Sequence, residues 1–134
     1  MENAVQSDKR LKRWYRKINK KFFNNELPNN VCVRWLSELE IEKFEEKYFA
    51  WTSDKRDAPE AFAEDHYRHE YTIIISKSKN PGNTAILATL AHEMCHVATK
   101  KRDDHGPAFE EQRLRISDRG IFKKGAVLKG LTIF

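Results

Sequence analysis

His92-Glu93-Met94-Cys95-His96 carries two histidines four residues apart, and the reading of this 134-residue chain starts from that spacing. On an α-helix, residues i and i+4 share a face about one turn apart, so the two imidazoles stack and can reach one cation together. Zinc–nitrogen bonds of about 2.1 Å suit that geometry. Glu93, one residue on and rotated by about 100°, stands beside the cation rather than on it. Its carboxylate can there accept a proton from water activated at the metal, which is the logic of an H-E-x-x-H helix.

The neighbouring sequence predicts the helix that this chemistry needs. Asn80, Pro81 and Gly82 break the chain, and Asn80 or Asn83 is a candidate cap for a helix from Asn83 to about Thr99. On a helical wheel Ile86, Leu87, Leu90, Met94 and Val97 gather on one side. His92 and His96 point to the other, beside Ala85 and Thr89. Histidines kept only for packing would fall in the apolar stripe. Small residues next to the pair leave room for a ligand.

A catalytic zinc site uses three protein ligands and keeps a fourth position for water. His105, nine positions after His96, is the favoured third ligand. The charged stretch from Lys100 to Asp104 can turn the chain back, and Gly106-Pro107 then launches a further helix to about Ser117. Asp103, Asp104, Glu110 and Glu111 are rivals, because carboxylates also bind zinc.

Upstream, a helix is expected from about Asp8 to Asn24, with Leu11, Trp14, Tyr15, Ile18 and Phe22 as its buried stripe. Lys9, Arg10, Lys12, Arg13, Arg16, Lys17, Lys20 and Lys21 cover the remainder, and Asn24, Asn25 and Pro28 end it. Val31–Leu36, Phe49–Ser53 and Tyr71–Ser76 read as strands. Residues 37–47 read as an acidic loop or short helix, and the last apolar run, Leu131–Phe134, as a strand packed on the core or a frayed end. His66, Tyr67 and His69 are expected in an exposed loop, with a place in the cleft as the alternative. Tyr48 and Trp51 belong to the core or its rim; alternatively, Phe49–Ser53 is an edge on which an extended substrate docks. The expected fold class is α+β: an N-terminal helix, a small three-stranded sheet, the histidine helix and a following helix. One domain over residues 1–134 is expected, with a basic tail from about residue 118.

Apolar residues make up 40% and charged residues 34%, a globular rather than a disordered balance. No apolar run approaches the roughly 20 residues that span a bilayer. The basic first twenty residues lack the apolar stretch of a secretory signal, so a cytoplasmic location is expected. Cys32 and Cys95 are the two cysteines; they read as buried small hydrophobes and are too few for a four-cysteine zinc ribbon. Charge is unevenly spread. Residues 1–30 hold eight Lys/Arg against three acids, residues 112–134 six against one, and residues 31–111 eleven against sixteen. Basic ends around an acidic middle suit a polyanion such as DNA, with Arg13, Arg16, Lys17 and Lys20 as candidate contacts. The plainer reading is a solvated helix face and a basic tail.

Taken with Asp104-His105-Gly106-Pro107-Ala108-Phe109, the histidine motif resembles the SprT/Spartan family of metallopeptidases, in which an H-E-x-x-H helix, a variable loop and an H-G-x-x-F segment follow one another. Phe22-Phe23-Asn24-Asn25-Glu26-Leu27-Pro28 is similar to that family's F-N-x-x-L-P phrase, and the likeness spans roughly residues 10–118. It implies a zincin-like domain with one Zn2+ per chain on His92, His96 and His105, and Glu93 as the catalytic base cleaving a protein or peptide substrate. Eukaryotic members degrade proteins crosslinked to DNA, which implies DNA binding, DNA–protein crosslink repair and a nucleoid or nuclear location. Many relatives carry a cysteine-rich zinc module at the C-terminus; here a short basic tail stands in that place, so DNA sensing would fall to the basic ends. A monomer without membrane contact is expected. The rival readings are a non-catalytic zinc-containing DNA-binding or adaptor domain and a hydrolase of some non-peptide amide.

Overall fold

Asp8 starts the first helix, α1 (Lys9–Phe22): its Oδ1 accepts from the backbone N–H groups of Arg10 and Leu11, 3.0 Å each. Two of the four donors that any helix start leaves unpaired are satisfied in this way. The computed structural model describes residues 7–37, 50–53, 70–100 and 105–118. Leu11, Trp14, Tyr15, Ile18 and Phe22 are all buried, as their spacing predicts. The helix stops before Asn24 and Asn25, whose φ angles of 54° and 61° lie in the left-handed region that asparagine tolerates better than most residues. Asn19 holds the chain that turns back beneath the helix. Its Nδ2 donates to the Leu27 carbonyl and its Oδ1 accepts from the Leu27 N–H, both at 3.1 Å. The Tyr15 hydroxyl donates to the Pro28 carbonyl at 2.7 Å. Burial, and then the negative charge of Glu70, push that phenol above its ordinary range.

The strands β1 (Val31–Trp35), β2 (Ala50–Ser53) and β3 (Tyr71–Ile75) form a mixed sheet in the order β1-β3-β2. β1 runs parallel to β3, and β2 antiparallel to it on the other side. Pairing sets Val33 opposite Ile73 and Ile73 opposite Thr52. One face therefore carries Val31, Val33, Trp35, Tyr71, Ile73, Ile75 and Ala50, all members of the core or packed against it. Thr52 shares that face by alternation and is its polar exception. Cys32, Arg34, Thr72 and Ile74 on the opposite face are buried as well. Residues 7 and 8 lie along β1: Asp8 N–H donates to Val33 O at 2.8 Å and Val33 N–H donates to Ser7 Oγ at 2.9 Å. Trp35 Nε1 donates to Asp8 Oδ2 at 3.1 Å, which joins helix cap and strand end.

Helix α2 (Asn83–Ala98) lies against β2, β3 and α1, and α3 (Pro107–Asp118) lies against α2. Neither Asn80 nor Asn83 caps α2. Its N-cap is Gly82 at φ +85°, a conformation that glycine alone adopts without strain, and no side chain bonds there. The two amides are engaged elsewhere: Asn83 Oδ1 accepts from Arg10 Nη2 at 2.9 Å. Asn80 Nδ2 donates to Ser76 O at 2.7 Å, while Asn80 Oδ1 accepts from Thr89 Oγ1. The two-sided wheel also needs correction. Ile86, Leu87, Leu90, Met94 and Val97 are buried as expected, but so are Glu93, Cys95 and His96, because β2 and α3 cover α2 beyond its apolar stripe. Among the described residues no helix is long and apolar enough to cross a membrane. Residues 38–47, Tyr48, His66, Tyr67, His69, Asp103, Asp104 and Leu131–Phe134 lie outside the described residues.

Candidate metal centre

His92 and His96 sit one turn apart on α2, their ring centroids 5.4 Å apart. The third histidine comes from the chain reversal that follows. Thr99 N–H donates to Cys95 O and Lys100 N–H to Val97 O, and Lys100 takes φ +56°, so α2 closes on a left-handed residue and the chain leaves the helix axis. His105 precedes α3, whose first turn is tied by Glu110 N–H donating to Gly106 O at 3.0 Å. Its ring comes to 5.3 Å from that of His92 and 5.0 Å from that of His96.

The three imidazoles each offer a nitrogen, and these nitrogens lie within 4.8 Å of one another. His92 Nε2 and His105 Nε2 are 3.3 Å apart. Bonds of about 2.0–2.1 Å at tetrahedral angles set two ligand nitrogens roughly 3.3–3.4 Å apart, so this pair already stands at the edge length of a zinc tetrahedron. Three imidazoles are also a common catalytic donor set for that metal. The residues fit the ion. His96 is buried, His92 half-buried and His105 exposed, so the cluster opens to solvent on the His105 side.

Phe109 forms the wall behind the cluster. Its ring centroid lies 4.9 Å from His92, 4.5 Å from His96 and 4.9 Å from His105, and it is 1% exposed. Placed two residues into α3, it packs against all three imidazoles at once and limits how far each ring can turn. The sequence flagged Phe109 as part of a motif without giving it this work.

Glu93 points from α2 toward the sheet. Thr52 Oγ1 donates to Glu93 Oε1 at 2.7 Å, and both residues are buried. Sequence reasoning missed Thr52 entirely; its one signal was a hydroxyl on the strand face shared with Ala50.

The carboxylate rivals fare differently. Glu110 is gripped by Arg113, which donates from Nε at 2.8 Å to Oε2 and from Nη2 at 2.7 Å to Oε1. That hydrogen bonding holds the Glu110 carboxyl below its ordinary range, with the nearby His105 and His92 adding to the effect. Glu111 is exposed on α3, and neither residue belongs to the metal-holding group. Cys95 is buried, and burial together with the Glu93 charge pushes its thiol up to about 12, which keeps it protonated at neutral pH. Cys32 is buried too, so both cysteines take the packing role expected of them.

On α1, Arg13, Arg16 and Lys20 are exposed and Lys17 is half-buried. Arg10, though exposed, and the half-buried Lys12 are engaged by neighbouring groups. Arg10 stacks over Trp14 at 4.5 Å, and Lys12 Nζ donates to the carbonyls of Asn29 and Val31. No acidic residue lies within α1, so the exposed cations form an uninterrupted positive row along its outer side.

A family model described as the SprT-like family matches residues 11–126, from within α1 to beyond α3. No curated protein matches the chain, and no solved structure does.

Proposed function

The chain belongs to the SprT-like family, and from that premise we propose that it is a zinc-dependent metallopeptidase that hydrolyses peptide bonds. The observation that carries this reading is the meeting of His92, His96 and His105, with Glu93 on the same helix turn as two of them. In this reading the three histidines hold one Zn2+ and Glu93 is the general base. Zinc bound there supplies Lewis acidity, polarising a carbonyl and lowering the pKa of water to about 7. Glu93 takes the proton from the attacking water as the new C–O bond forms. It then delivers that proton to the leaving amine nitrogen as the peptide C–N bond breaks.

The rest of the fold agrees with a zincin-like arrangement. The motif helix runs beneath a small mixed sheet, and β2 is its antiparallel edge beside that helix. Among the described residues β2 pairs with β3 alone, which supports Ala50–Ser53 as the edge along which an extended substrate chain docks. Among the described residues the donor set has three members, whereas structural sites are closed by four, and this favours a catalytic role over a purely structural zinc. The same reading has one domain acting as a monomer in the cytoplasm or on the nucleoid.

The substrate side of the proposal is protein associated with DNA. Its support is the row of Arg13, Arg16 and Lys20, with Lys17 beside it, on the outer side of α1. Phosphate contacts by such side chains release counterions, so affinity should fall steeply with salt. The test is cleavage of a DNA-bound basic protein with and without single-stranded DNA. DNA-stimulated cleavage that weakens when Arg13, Arg16, Lys17 and Lys20 are reversed to Glu supports the assignment. Cleavage indifferent to DNA, or a salt slope untouched by the reversal, removes α1 as the docking surface and leaves a general peptidase.

A further inference from the structure

We infer that Thr52 is a positioning residue for Glu93, holding one oxygen of the carboxylate so that the group keeps a single orientation beside the histidine cluster. The inference rests on the reading of Glu93 as the general base. Its starting point is the inner face of the sheet, where the buried Thr52 hydroxyl shares a face with Val31, Val33, Ile73, Ile75 and Ala50. A polar group in such a place costs stability unless it is hydrogen-bonded, so its partner is informative. That partner is Glu93 Oε1 at 2.7 Å, across 41 residues of sequence. The Glu93 backbone carbonyl lies farther off, at 3.3 Å, and the single hydroxyl proton goes to the nearer and more strongly accepting carboxylate oxygen.

The terminal torsion of a glutamate is broad and roughly two-fold when nothing restrains it. A general base that also delivers its proton to a second atom loses rate when it wanders, and misplacement by about 1 Å can cost on the order of a hundredfold. Thr52 is well suited to prevent that wandering. It sits on β2, pinned opposite Ile73 by strand pairing, so the donor is fixed by the sheet rather than by a loop. Because β2 is also the proposed docking edge, a substrate chain lying on it would be registered against the strand that orients the base.

The test compares zinc-loaded wild type with Thr52→Val, which keeps the shape and removes the hydroxyl, and with Thr52→Ser, which keeps the hydroxyl. With a quenched fluorescent peptide, Thr52→Val should lower kcat roughly tenfold to a hundredfold with KM changed by less than about twofold. Thr52→Ser should stay within about threefold of wild type in kcat, as the retained hydroxyl keeps the orientation. Bound zinc, measured by elemental analysis, should be the same in all three proteins. A hydroxyl that serves only packing predicts instead a lower melting temperature for Thr52→Val with unchanged kcat, and that result overturns the inference. Crystal structures of zinc-loaded wild type and Thr52→Val give a reading independent of turnover. A turned or doubly placed Glu93 carboxylate in the variant supports the role, and an unmoved one overturns it. If Thr52→Val does not fold, Thr52→Ala takes its place in both measurements. A wild type that cleaves no peptide defeats the peptidase reading, while the crystallographic comparison still decides what Thr52 does to Glu93.

Discussion

His92 Nε2 and His105 Nε2 stand 3.3 Å apart although thirteen residues separate them in sequence. The closeness depends on the left-handed turn at Lys100 and on α3 packing against α2, and it sets a demand on metal affinity. His92→Ala or His96→Ala should abolish zinc binding. His105→Ala should weaken it by about tenfold or more, the lower end of what even outer partners contribute. Glu110→Gln should change it far less, since Arg113 already grips that carboxylate. Competition against a chelating dye measures all four, and a Glu110→Gln effect larger than that of His105→Ala would exchange their roles.

Phe109 couples the histidine cluster to the core. Replacing it by alanine removes a buried ring and should cost about 3–5 kcal/mol of stability, read by urea unfolding of the metal-free protein. The same variant should bind zinc more weakly, because Phe109 touches His92, His96 and His105 together. A loss of stability below about 1 kcal/mol would mean that the site can collapse around the gap.

Asn19 should matter for folding and not for chemistry. Asn19→Ala leaves the buried N–H and C=O of Leu27 without their side-chain partner, at a cost of about 1–3 kcal/mol. Zinc affinity of the folded variant should match wild type. Urea unfolding with a cost under about 0.5 kcal/mol would show that the turn finds other partners.

Tyr15 gives the fold an alkaline limit. Its phenol is raised in the folded protein above the ordinary value of 10.0. Below pH 10 both folded and unfolded chains keep the proton, so this group adds no pH dependence. Above it the unfolded chain binds fewer protons than the folded one, and stability falls as pH rises. Unfolding free energy measured from pH 9 upward should therefore decline about pH 10 and above, and less steeply in Tyr15→Phe. Equal slopes in the two proteins would remove Tyr15 as the cause.

The centre of the site was legible because its information is local. His92, Glu93 and His96 lie within one turn and a fraction of helix, and the 3.6-residue period alone puts them together. His105 was already favoured over Glu110 in the sequence, and the Arg113 side chain, which bonds that carboxylate from one turn further along α3, adds a reason that the sequence did not supply. Thr52 was not legible. Its meeting with Glu93 depends on β2 lying at the far edge of β3, and strand order is not written in any single stretch of sequence. The cap of α2 was misread for a related reason. Asn80 and Asn83 have the local propensity, but Thr89 and Arg10 engage their amides and leave Gly82 at the helix start. The F-N-N-E-L-P phrase is intelligible only in three dimensions, where Phe22, Phe23 and Leu27 enter the core and the two asparagines take the left-handed turn between them.

Peptide hydrolysis by zinc-loaded Glu93→Gln, set beside zinc-loaded wild type, tests the catalytic assignment most directly. Glutamine keeps the size of the side chain and can still accept from Thr52, but it cannot take up a proton from water. Glu93→Gln should bind one equivalent of zinc, keep the wild-type fold and lose turnover by about a hundredfold or more, within the range ascribed to general acid–base catalysis. A Glu93→Gln protein that holds zinc and cleaves peptide as fast as wild type would contradict it.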